Sequence, residues 1–175
     1  MTYLLYGSII DKKKVAYATN FFEKKGADIM LLAGSINIIA RCARLYRNDK
    51  LKKFGIHGTM DSIILRVCRK PGISQDTLVK MVYIDKSNMA RKLAKLEKDG
   101  YVTRTASKED KRVQLVYPTE KAISIYNEIE NILLEWNEYI TEGLSQEQKQ
   151  LLGDGLDKVL LNAKRYIGER EDTEE

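Results

Sequence analysis

Lys86, Ser87, Asn88, Arg91, Lys95 and Lys98 fall within one short stretch of this chain. They combine two kinds of chemistry. Amide and guanidinium groups can hydrogen-bond the edges of nucleobases, and lysines neutralise phosphates. At helical spacing Ser87, Asn88, Arg91, Lys95 and Lys98 share one face with Lys92, opposite Met89, Leu93 and Leu96. A helix over residues 86–99 would be roughly 20 Å long at 1.5 Å per residue. A lysine-rich face is also what a solvated surface helix presents, so this footprint does not decide the matter alone. The segment that follows points the same way. "YVTRTASKEDKRVQLVYP" reads as an alternating hairpin whose tip carries Lys108, Lys111 and Arg112. Arginine at such a tip suits the negative potential of a minor groove. A basic helix leading into a basic hairpin favours duplex DNA as the partner.

Other chemistry is sparse. His57 is the single histidine, and a zinc site needs several His or Cys ligands at suitable spacing. No Gly-rich phosphate loop, GxSxG or HExxH occurs, so an enzyme finds no support and no cofactor is expected. Cys42 and Cys68 form no CxxC pair. Cys42 lies beside the apolar stripe of the first helix, where a small buried hydrophobe is the expected role. Cysteine-based redox sensing stays an alternative. The ten tyrosines read as packing residues with a polar end, Tyr117 on the strand's inward face with Val113 and Leu115.

These groups need elements to position them. The chain has 175 residues, 43% of them apolar, enough for one domain with appended helices. Its net charge of +5 is unevenly spread. Ser74 to Arg112 holds ten basic and six acidic side chains, whereas Thr119 to Glu142 holds one lysine and six glutamates. Residues 1–27 read as an arm, and its apolar start lacks the preceding positive charge of a signal peptide. With only two cysteines, the reducing cytoplasm is the expected location, with no membrane involvement. From 28 to 54 the stripe Leu32, Ile36, Ile39, Ala43 and Tyr46 predicts a helix closed by Gly55. A second runs from about Gly58 to Arg69, burying Met60, Ile63, Ile64 and Val67. Ser74 and Asp85 read as N-caps of two short helices, each with a hydrophobic staple, and Gly100 closes the second. With the hairpin at 101–117 this is a winged helix-turn-helix over 55–118. Thr119 opens a long helix whose seam is Ala122, Tyr126, Ile129, Leu133, Trp136 and Ile140. Ser145 and Gln148 form a capping box for a last helix burying Leu152, Leu156, Val159 and Ala163. Gly153 and Gly155 weaken that helix locally. Residues 119–169 thus form the C-terminal helices, and 170–175 an acidic tail.

The run "GISQDTLVKMVYIDKSNMARKLAKLEKDGYVTRTASKEDKRVQLVYPTEKA" resembles the MarR family of transcription regulators. The resemblance rests on Ser74-Gln75, Asp85-Lys86-Ser87, Arg91, Leu96-Glu97, Gly100, Asp110-Lys111-Arg112 and Thr119-Glu120-Lys121, in that order, followed by "GLSQEQ". It implies a mainly α fold with a small β-wing, a winged helix-turn-helix flanked by N- and C-terminal dimerisation helices. It further implies an obligate homodimer on a pseudo-palindromic double-stranded DNA operator, in many members a repressor released by a ligand. Carried over to this chain, the DNA-binding residues are Ser74, Gln75, Lys86, Ser87, Asn88, Arg91, Lys95, Lys98, Asp110, Lys111 and Arg112. Asp110 would orient the wing and Arg112 enter the minor groove. The dimer interface would comprise Tyr126, Ile129, Leu133, Trp136, Ile140, Leu156 and Val159. A small aromatic or phenolic effector would sit in a pocket near Tyr46, Met60 and Ile64. Asn88 and Ala90 stand where the family often has threonine, and Ala122 replaces a glycine; the first two bear on which bases are read. A winged helix used only for protein interaction remains the competing reading.

Overall fold

The computed structural model describes residues 32–171; expectations about residues 1–31 and 172–175 lie outside them. It divides into two compact units, Met1–Asp49 and Lys50–Glu175.

The described part of the first unit belongs to helix α1 (Leu32–Leu51). No side chain from 32 to 49 is buried. Ile36, Ala43 and Tyr46 are half-buried, whereas Leu32 and Ile39 of the same stripe are exposed, as are Ile38, Leu45 and Cys42. The expected burial of Cys42 is therefore not found within its own chain. Past Leu51 the helix tightens into a 3-10 turn, Lys52–Phe54, closed by Gly55 at φ +69°. Its N–H donates to the Lys52 carbonyl at 3.0 Å, the left-handed stop that glycine permits.

The second unit contains α2 (Met60–Arg69), β1 (Ile73–Ser74), α3 (Gln75–Val82), α4 (Lys86–Lys98), β2 (Val102–Ala106), β3 (Gln114–Pro118), α5 (Glu120–Ile140) and α6 (Gln146–Glu171). The strands form an antiparallel sheet in the order β1-β3-β2. Ile73 and Arg104 both stand opposite Val116, and Thr103 stands opposite Tyr117. Helix α2 packs on β3 and α5, and α3 on α4. Met60, Ile63, Ile64, Val67, Leu78, Met89, Leu93, Leu96, Val116 and Ile129 are sealed in this core. Each such side chain contributes roughly 1.5–3 kcal/mol of burial free energy. Asp61 is buried too, in the first turn of α2, where the positive end of the helix dipole favours a carboxylate.

Four expectations need correction. The inward residue of β3 is Val116, fully buried, and Tyr117 faces out. Apolar side chains at 115, 116 and 117 fit either phase of the strand, and the tyrosine ring instead covers Gly72, where an added β-carbon would meet it at 3.2 Å. Helix α5 carries two apolar stripes rather than one. Ala122, Ile125, Ile129 and Ile132 fill the chain's own core, while Leu133 and Trp136 are half-buried and Ile140 is exposed. Met60 and Ile64, expected around a ligand, are 1% and 0% exposed and sit in the lobe's core. Finally, α6 runs unbroken through Gly153 and Gly155 but buries no side chain over residues 146–168: Leu152, Leu156 and Ala163 are exposed and Val159 is half-buried.

Candidate nucleic-acid interface

Two caps set the helix pair. The Ser74 hydroxyl accepts from Thr77 N–H at 3.1 Å, and the Asp85 carboxylate from Asn88 N–H at 2.7 Å. Between them, Tyr83 ends α3 in the left-handed region at φ 55°. Helix α4 presses Met89, Leu93 and Leu96 into the core, which turns Ser87, Arg91, Lys95 and Lys98 outward. Asn88 and Lys92 are half-buried, and the Lys92 ammonium lies over Gly58.

The cations on this face are not equivalent. Lys86 pairs with Asp76 at 3.3 Å, and Lys95 with Asp99 at 2.9 Å one turn on. Exposed pairs of this kind contribute about 0–1 kcal/mol, so both lysines can exchange partners readily. Arg91 and Lys98 have no ion pair or hydrogen bond among the described residues, and both are exposed. They are the open cations of α4.

Sequence reasoning missed what holds the helix and wing at a fixed angle. Glu97 accepts from Arg104 three times: the backbone N–H at 3.2 Å, Nε at 3.1 Å, and Nη2. These bonds hold its carboxyl below the usual carboxylate range, against a smaller opposing effect of burial. The only signal in the sequence was Glu97's place in the L-E-x-x-G pattern. Behind them, Gly100 at φ +77° reverses the chain into Tyr101. Tyr101 is 1% exposed and meets three segments. Its hydroxyl donates to the Phe54 carbonyl at 2.9 Å, and its N–H to the Leu96 carbonyl at 2.8 Å. Its carbonyl accepts from Thr119 N–H at 3.1 Å, and its ring lies 4.3 Å from the Lys121 ammonium. Burial, and secondarily Asp99, push its phenol pKa up.

At the wing tip, the Asp110 carboxylate accepts from the Arg112 N–H at 2.9 Å, and the Asp110 carbonyl from Val113 N–H at 2.9 Å. Ser107 N–H closes the turn on the Val113 carbonyl at 2.8 Å. Lys108, Lys111 and Arg112 are left exposed. The geometry thus brings the expected recognition helix and wing together through β2, with Ser74 and Gln75 half-buried at the start of α3.

The acidic segment has its own use. Lys53 pairs with Glu128 at 3.1 Å and Lys50 with Glu135 at 3.2 Å, so α5 carries counter-charges for the end of α1 and the turn after it. Tyr126 is likewise engaged within the chain: its hydroxyl accepts from Arg69 Nε at 2.8 Å and donates to Glu130 at 2.6 Å. Ile129, expected at a dimer contact, is sealed in the core of its own chain, because it belongs to the inward stripe of α5. Burial raises the Cys68 thiol pKa, which lowers its thiolate fraction. His57 Nδ1 lies 3.2 Å from the Gly55 carbonyl. Among the described residues no cluster of three His, Cys, Asp or Glu could hold a metal ion, and no helix is long and apolar enough to cross a membrane.

Comparison with known proteins agrees with this geometry. The MarR family model matches residues 62–113, from α2 to the wing. The uncharacterized HTH-type transcriptional regulator YybA of Bacillus subtilis is 28% identical over 134 residues, covering 74% of this chain and 87% of YybA. A MarR transcriptional regulator from Methanosarcina mazei Go1 superposes with a TM-score of 0.74 at 27% identity, over 77% of this chain and 97% of that one. A MarR family protein from Listeria monocytogenes, solved in complex with a 26mer DNA, gives 0.72 at 28% identity, over 77% and 89%. Fold, matched domain and relatives coincide: the chain has a winged-helix fold and is similar, over residues 62–113, to the MarR family of transcriptional regulators.

Proposed function

We propose that the protein acts as a homodimer on a pseudo-palindromic operator, as a ligand-responsive repressor in the cytoplasm. Residues 55–118 form the DNA-binding lobe, and helices within 28–54 and 119–169 form the dimerisation region. The observation that carries the reading is the pair of open cations, Arg91 and Lys98, on the outward face of α4 beside an exposed basic wing. Two copies of α4 related by a two-fold would enter successive major grooves about 34 Å apart. Ser87, Asn88 and Arg91, in the N-terminal half, would read bases. Lys86, Lys95, Lys98 and Lys111 would hold phosphates, and Arg112 the minor groove. An effector that binds a DNA-incompetent spacing more tightly would release the operator by population shift.

The test separates reading from holding. Arg91→Ala is expected to cost roughly 1–3 kcal/mol on the operator and to relax preference at one base pair per half-site. Lys98→Ala is expected to weaken all sequences alike and to flatten the salt slope by about one unit per lost phosphate contact. Fluorescence anisotropy on operator and scrambled duplexes across a salt series measures both. If both variants bind like the wild type, the basic face is a solvated surface and the interaction-module reading takes over.

A further inference from the structure

Tyr83 occupies the turn between α3 and α4 at φ 55° and ψ 47°, alone among the described non-glycine residues in having a positive φ. A β-carbon disfavours this region, and glycine or asparagine is its usual occupant. Burial offers little in exchange: Tyr83 is 57% exposed, and its hydroxyl makes no hydrogen bond among the described residues. A strained backbone carrying an exposed, unpartnered aromatic is an outlier of the kind found where a ligand is contacted.

Its place in the fold indicates the ligand. Tyr83 stands two residues before the Asp85 cap, and Ser87 and Asn88 follow in the first turn of α4. In a helix-turn-helix, residues at the start of the second helix reach base edges in the major groove. The turn just before them then lies at the edge of that groove, where the phosphates are. Lys86 beside it is exposed and adds positive potential. A phenol O–H is a suitable neutral donor to a phosphate oxygen. We propose that Tyr83 is a further DNA contact, its hydroxyl donating to a backbone phosphate at the rim of the groove that α4 enters. The contact rests on the DNA-binding reading above and is independent of base sequence.

Two variants test it, with anisotropy on a scrambled duplex spanning several helical turns. Tyr83→Phe removes only the donor, and about tenfold weaker binding is expected, with the melting temperature unchanged. Because the phenol is neutral, the salt slope should stay that of the wild type, unlike the loss of a lysine. Tyr83→Gly relieves the backbone, so its melting temperature should be no lower than the wild type's while its DNA affinity falls at least as far. Wild-type affinity in both variants overturns the proposal and leaves the DNA-binding reading standing. Weakening in Tyr83→Gly alone also overturns it, since the ring rather than the hydroxyl then touches DNA. Failure of the wild type to bind this duplex at low salt overturns both.

Discussion

The hydroxyl of Tyr101 offers a sharp test of how the lobe is held together. Tyr101→Phe keeps the buried ring, its packing and its contact with the Lys121 ammonium at 4.3 Å. It removes one atom, the donor to the Phe54 carbonyl at 2.9 Å. A typical net hydrogen bond contributes about 1 kcal/mol, and an acceptor left dry adds a further desolvation penalty, so a loss of about 1–3 kcal/mol is expected. In a chain of 175 residues each kcal/mol shifts the melting temperature by roughly 2–4 °C. Tyr101→Ala, which also empties the ring's space, should cost about 3–5 kcal/mol. Urea unfolding followed by circular dichroism, at one fixed protein concentration, measures both. The raised phenol pKa supplies a second readout. A group whose folded pKa lies above its unfolded value stabilises below the unfolded value and loses that contribution as pH rises through the folded one. The wild type should therefore lose stability across the alkaline tyrosine range more steeply than Tyr101→Phe. An unchanged urea midpoint in Tyr101→Phe would refute the idea that this bond ties the turn after α1 to the end of α4.

Leu156→Glu tests assembly with little damage to the single chain, because Leu156 is 43% exposed there. Light scattering should show a dimer for the wild type and a monomer with a folded lobe for the variant; a dimeric variant would remove this part of α6 from the interface. Glu97→Gln should lower stability by about 1 kcal/mol at neutral pH, a figure already reduced for the partial exposure of the pair with Arg104. The folded pKa of Glu97 is lowered, so its contribution is present above the unfolded carboxylate pKa and lost as pH falls through the folded value. Acid titration of urea midpoints should then show a shallower fall for Glu97→Gln, and parallel curves would sink the clamp.

Local chemistry is what the sequence displayed. Ser74, Asp85, Thr119 and the Ser145–Gln148 box cap their helices through bonds spanning three residues, and such bonds need no tertiary context. The outward face of α4 was readable because Met89, Leu93 and Leu96 leave it no other orientation. What failed depends on distant partners. Strand β1 has only two residues, too few to show a period. The stripes of α5 lie one residue apart, so spacing alone could not say that Ile125 and Ile132 face inward while Leu133 and Trp136 lie nearer the surface. Glu97 with Arg104, and Tyr101 with Phe54, are joined only after the chain has folded back. Tyr83 resembled any other loop tyrosine until its backbone angles were known.

Helix α6 has a thermodynamic consequence. It spans Gln146–Glu171, contains Gly153 and Gly155, each costing about 1 kcal/mol relative to alanine, and has no buried side chain over residues 146–168. Helices in proteins take most of their stability from packing rather than propensity. In the proposed homodimer, α6 becomes ordered by mass action. Its helicity should rise with protein concentration, the melting temperature should climb on concentrating the sample, and refolding should include a second-order phase. Dilution alone would then unwind α6 while the winged lobe, whose core lies within one chain, stays folded.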